Sequence, residues 1–126
     1  RYAEHEYFAE FKFFLPEDGL ALIPTHYRPI FDQAVKSKIL HITEGNVMDD
    51  REVSEYIKQQ ASIYNIKEVG YDAYNAASLI ARLHENSIPV KKVGQGMAVL
   101  SNPSKHVEKL IMQNQMFFRP CFSSFL

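Results

Sequence analysis

The spacing of apolar positions changes period several times along the chain, and each change marks an element. From Tyr7 to Leu15 the run YFAEFKFFL sets Tyr7, Ala9, Phe11, Phe13 and Leu15 on one side and Phe8, Glu10, Lys12 and Phe14 on the other. This two-residue repeat, dense in aromatics, predicts one strand. PEDG (Pro16–Gly19) follows as a turn. Between His26 and Ser37, the residues Tyr27, Ile30, Phe31, Ala34 and Val35 fall at helical spacing. Ile39–Thr43 predicts a short strand closed by Gly45. Asp49 stands three residues before Glu52, the spacing of a capping box, and Val53, Ile57, Ala61 and Tyr64 continue one helical stripe. IKEVGY (Ile66–Tyr71) predicts a strand ending at Asp72. Asn75 can cap the next helix, whose apolar face is Ala76, Leu79, Ile80 and Leu83. Pro89–Val93 is a further strand, and Asn102-Pro103 reads as cap and first residue of a last helix burying Val107, Leu110 and Ile111.

Strands alternating with helices of these lengths predict an α/β layer structure, largely parallel in its second half. The end of the chain breaks the pattern. Residues 117–126 (FFRPCFSSFL) hold four phenylalanines without a helical or strand period, and are expected to form an aromatic tail on a domain of residues 1–116. Such a tail docks on the body, docks on a partner, or is a sticky end.

Composition narrows the function classes. A chain of 126 residues fits one domain, and 46% hydrophobic residues is too apolar for a disordered one. Fourteen Lys+Arg against 15 Asp+Glu excludes a wholesale basic nucleic-acid binder but leaves room for a local basic patch. No apolar run approaches the ~20 residues needed to span a membrane. The single Cys121 cannot form an internal disulfide, and the charged start RYAEHE does not read as a signal peptide. A start at Arg1 leads us to expect a piece of something longer.

Most chemical motifs are missing. There is no phosphate-binding G-x-x-x-x-G-K-[ST], and Gly94-Gln-Gly96 lacks the third glycine of a dinucleotide fingerprint. His5, His26, His41, His84 and His106 are scattered without metal-ligand spacing and read better as surface histidines. Cys121 has no neighbouring base to activate it. Asp72 is more informative, because it directly follows the strand Val69-Gly70-Tyr71, at the end where open α/β sheets place ligand and catalytic groups. It can equally cap the start of the next helix, and spacing alone does not decide. Of the small basic clusters, Lys91-Lys92 and Lys105 flank the loop Gly94–Ser104, near the sheet edge that presents Asp72, where a DNA backbone could be gripped; solubilising surface charge is the default explanation. A small α/β ligand-binding domain, with Asp72 as a cap and the Gly94–Gly96 turn structural, fits these residues too.

Several segments taken together resemble a known family. FFLPED (Phe13–Asp18), ILHITEGNVMDDREV (Ile39–Val53) and IKEVGYDAYNAASLIARLHENSIPVKKVGQGMAVLSNPSKHVEKLI (Ile66–Ile111) are similar to the C-terminal nuclease domain of the large terminase subunit of tailed bacteriophages, over roughly Phe13 to Met116. The resemblance implies an RNase H-like fold of the integrase and resolvase type, a mixed sheet flanked by helices, incomplete here at both ends. It implies cleavage of concatemeric viral DNA during genome packaging, with Mg²⁺ or Mn²⁺ held at a two-metal acidic site. It also implies double-stranded DNA, the terminase small subunit and the portal as partners, no membrane, and the cytoplasm of a bacterial host as the location of a phage- or prophage-encoded protein. The family's second catalytic, metal-holding carboxylate falls on Asp72. Its first belongs on a strand before Tyr7–Leu15 and its last on a C-terminal helix in a Lys-Ile-Asp context; neither has a counterpart here. The expectation is therefore a fragment that binds metal weakly and cleaves poorly. The alternative is a catalytically inactive interaction module that forms oligomers through an exposed sheet edge or the aromatic tail.

Overall fold

Parallel strand pairs joined through helices organise this chain, in a computed structural model that describes residues 6–118. The elements run β1 (Tyr7–Ala9), β2 (Phe13–Pro16), α1 (Glu17–Leu20), a 3₁₀ turn (Thr25–Tyr27), α2 (Arg28–Lys36), β3 (Leu40–Thr43), α3 (Asp50–Ile63), β4 (Val69–Tyr71), α4 (Ala77–Glu85), β5 (Val90–Lys92), α5 (Met97–Met112) and β6 (Met116–Phe118). The α/β alternation expected from the sequence is present. The described residues divide into two compact units, one of residues 6–48 and 101–118, the other of residues 49–100.

In the first unit β2 pairs in parallel with β3, in the register Phe13 with Leu40 through Pro16 with Thr43. Parallel neighbours need a crossover, and α1, the 3₁₀ turn and α2 provide it. Ile39, Leu40 and Thr43 are buried there. β1 pairs in parallel with β6 from the other end of the chain, Tyr7 with Met116 and Ala9 with Phe118. This splits the single strand expected over Tyr7–Leu15. The two halves take different partners, so the ladder breaks at Glu10–Lys12, where the Lys12 ammonium instead donates to the Lys38 carbonyl at 2.7 Å. The PEDG turn is a short helix, α1, closed by a bond from the Asp18 N–H to the Gly45 carbonyl of 3.1 Å.

The second unit is a smaller βαβ: β4 and β5 pair in parallel, Val69 with Val90 and Tyr71 with Lys92, and α4 crosses between them. Its core holds Leu83, fully buried, and Ile88. Burying such a side chain contributes roughly 1.5–3 kcal/mol. Gly70 is held by close packing, since a Cβ there would stand 3.0 Å from a Val93 methyl.

In place of one mixed sheet, the described residues form three two-stranded pairs, all parallel. The last helix also differs from expectation. α5 begins at Met97, so Gly94–Ser104 is not a loop and Pro103 lies inside the helix. The Val99 and Leu100 N–H groups donate to the Gly96 carbonyl at 3.1 and 3.0 Å, and this first turn propagates past Pro103 at the cost of one backbone bond. Of its expected apolar face only Leu110 is buried, Val107 and Ile111 being exposed. Of the expected tail, Phe117 and Phe118 lie in β6, and the rest, with Cys121, lies outside the described residues. No helix among the described residues is long and apolar enough to cross a membrane.

Candidate functional site at the carboxyl end of β4

The second unit presents its polar groups where β4 and β5 end. Asp72 directly follows Tyr71, the last residue of β4, and is exposed. Its Oδ1 accepts from the Tyr74 N–H at 3.1 Å, an Asx turn that fixes the carboxylate relative to the strand end. Its other oxygen has no partner among the described residues.

The helix after this loop settles the capping question. The residue at the N-cap of α4 is Ala76, and no side chain caps it. Asp72 is too far upstream for that role, and Asn75, expected as the cap, adopts φ 52° instead. That left-handed conformation is one Asn tolerates better than most residues, and it turns the chain into the helix. Asp72 thus shapes its loop without closing the helix end.

Lys91 and Lys92 are exposed on β5, in register with Gly70 and Tyr71. Successive residues of a strand point to opposite faces, so the two ammonium groups do not act as one patch. Lys105 is exposed on α5 and belongs to the first unit.

The divalent ions implied by the resemblance can be tested against these donors. Holding two ions about 4 Å apart takes several acidic side chains. Asp72 offers one carboxylate, half engaged by Tyr74, and no three His, Cys, Asp or Glu side chains converge among the described residues. These residues do not fit a two-ion centre, and no chemical step is derived through one.

Sequence reasoning missed a second polar cluster, in the first unit. Tyr7, His106, Lys109, Gln113 and Gln115 surround a cavity of about 280 Å³. Tyr7 comes from one end of the chain and the other four from beyond residue 105, so no local motif could have announced it.

No curated protein matches the chain. A crystal structure of the HK97 bacteriophage large terminase superposes with a TM-score of 0.72 at 16% identity, over 86% of this chain. The chain spans 23% of the length of that terminase. At this identity the likeness speaks for the fold. A family model described as the terminase large subunit, endonuclease domain, matches residues 3–121. With that match covering nearly its whole length, the chain belongs to the terminase large subunit endonuclease domain family.

Proposed function

We propose that the chain belongs to the nuclease domain of a terminase large subunit, whose work is endonucleolytic cleavage of concatemeric viral double-stranded DNA during genome packaging, and that with Asp72 as its one matching carboxylate it cleaves poorly. Asp72 is the acidic residue of the cutting site in this reading, and Lys105 and one of Lys91 and Lys92 contact DNA phosphates. The RNase H-like description of the fold, the small-subunit and portal partners and action in the bacterial cytoplasm belong to the same proposal, while the Mg²⁺ or Mn²⁺ of the family would meet a single carboxylate, Asp72, among the described residues. The observation that carries it is the carboxylate of Asp72, free at one oxygen and anchored at the other, at the carboxyl end of a parallel strand in a chain of this family. Supercoiled plasmid is incubated with the full chain and Mn²⁺, with EDTA and Asp72→Asn as controls. Cleavage abolished by both supports the reading. Cleavage that persists in Asp72→Asn removes Asp72 from the site, and DNA binding without cleavage removes the nuclease activity from this chain.

One observation favours the non-catalytic alternative. Phe11 stacks on Phe13 and Phe118 at centroid distances of 6.4 and 6.0 Å, yet Phe13 remains 50% exposed and Phe11 37%. Contiguous exposed aromatics mark interaction surfaces. A dimer that rises with concentration and is lost in Phe13→Ser would support the interaction module.

A further inference from the structure

We infer that the polar cavity of the first unit is a phosphate-binding subsite for the backbone of duplex DNA. The inference rests on the reading of the chain as a DNA-cleaving domain and adds a contact outside the Asp72 loop. His106 and Lys109 share one face of α5, and Gln113 follows at helical spacing in the turn directly after Met112. Tyr7 reaches the same cavity because β1 pairs with β6, its N–H donating to the Gln115 carbonyl at 2.7 Å. The Gln115 N–H in turn donates to the Leu110 carbonyl at 2.8 Å, and buried Leu110 lies among the lining residues. Backbone bonds therefore hold the rim in place before any ligand arrives.

The chemistry of the lining points to an anion. Lys109 brings a full positive charge with three N–H donors, the two glutamines bring amide donors, Tyr7 a hydroxyl and His106 a ring N–H. Among the described residues no acidic side chain lines the cavity; Glu108, the neighbour of Lys109 on α5, is not among its walls. The side chains of His106, Lys109, Gln113 and Gln115 make no hydrogen bond or ion pair with other described residues, so their donors are available. At about 30 Å³ per water, 280 Å³ accommodates a phosphate group with part of its hydration. Lys and neutral polar donors without acceptors of their own charge are the usual equipment for gripping a phosphodiester backbone without reading sequence.

The test is the salt dependence of duplex binding by the full chain, followed by fluorescence anisotropy, for the unsubstituted protein, Lys109→Ala, Gln113→Ala, Lys109→Arg and the remote control Lys58→Ala. Lys58 already pairs with Glu55 at 3.0 Å. Loss of one phosphate contact lowers the slope of log affinity against log salt by about 1. The inference expects that change in Lys109→Ala, a several-fold loss in Gln113→Ala, recovery in Lys109→Arg and no change in Lys58→Ala. An unaltered slope in Lys109→Ala, with Asp72-dependent plasmid cleavage intact, overturns the subsite alone. Failure of the unsubstituted chain to bind duplex overturns the DNA-cleaving reading and the subsite with it. Inorganic phosphate provides the remaining arm: if it shifts the His106 ring resonances while Lys109→Ala leaves duplex affinity unchanged, the cavity takes free phosphate and the backbone assignment is wrong.

Discussion

Two loops of the second unit begin alike and end differently, and the difference separates a carboxylate held by a guanidinium from one with an oxygen left over. At Asp49 the Oδ1 accepts from the N–H two residues on, Arg51, at 2.9 Å. At Asp72 the Oδ1 accepts from the N–H two residues on, Tyr74, at 3.1 Å. There the likeness stops. Asp49 is the N-cap of α3, and the Arg51 guanidinium grips both its oxygens at 3.2 and 3.1 Å. Asp72 caps no helix and meets no guanidinium among the described residues, so its charge stays available to a ligand. The same Asx geometry thus serves two ends, and what distinguishes them is where the helix starts and whether a cation follows.

The sharpest way to break this comparison is to remove each charge at constant shape. Asp72→Asn keeps the acceptor for Tyr74 and is expected to abolish plasmid cleavage, with thermal stability unchanged. Asp49→Asn is expected to leave cleavage as it was. Equal cleavage in the two variants would erase the distinction.

A core substitution acts on both loops together. Leu83 lies on α4, which packs against α3 and follows the Asp72 loop, and it is fully buried. Leu83→Ala is expected to cost about 2–5 kcal/mol, measured by urea unfolding. The exposed Leu22→Ala, a same-chemistry control at 83% exposure, should stay within about 0.5 kcal/mol. A small loss at Leu83 would mean that α4 does not anchor the site.

What could be read in the sequence was local. The order of helices and strands followed from periodicity, the cap at Asp49 from its spacing before α3, and the place of Asp72 from the apolar strand ahead of it. What escaped was decided at a distance. The break at Glu10–Lys12 exists because β1 and β2 choose partners far along the chain, and MFF at 116–118 is too short to announce a strand until β1 lies beside it. Asn75 carried a true turn signal whose form, φ 52°, only the loop reveals. Asn102-Pro103 carried a helix-start signal that the preceding turn from Gly96 overrode.

The Asp49 pair adds a pH dependence. The side-chain and backbone hydrogen bonds from Arg51 hold the Asp49 carboxyl below its usual range, with the Arg51 and Arg82 charges acting in the same sense. A group depressed in the folded state stabilises above its unfolded pKa of about 3.9 and loses that contribution as pH falls through the lower folded value. Melting temperature below about pH 4 should therefore fall further in the parent than in Asp49→Asn, which keeps the cap but not the titration. Identical acid profiles would show that the ion pair adds nothing to the cap.

The smallest effect tests which face of β5 shares a ligand with Asp72. Lys91 and Lys92 leave opposite faces, in register with Gly70 and Tyr71, so a duplex lying against one face reaches one of them. Lys91→Ala and Lys92→Ala are compared singly for the salt slope of duplex binding. One should lower it by about 1 and the other leave it unchanged. The double variant should match the more affected single one. Equal effects that add in the double variant would place DNA over the end of the pair instead of one face, and no effect in either would leave both as solvated surface charge. Either of the first two results orients the backbone relative to Asp72, because the strand register fixes which side each lysine leaves.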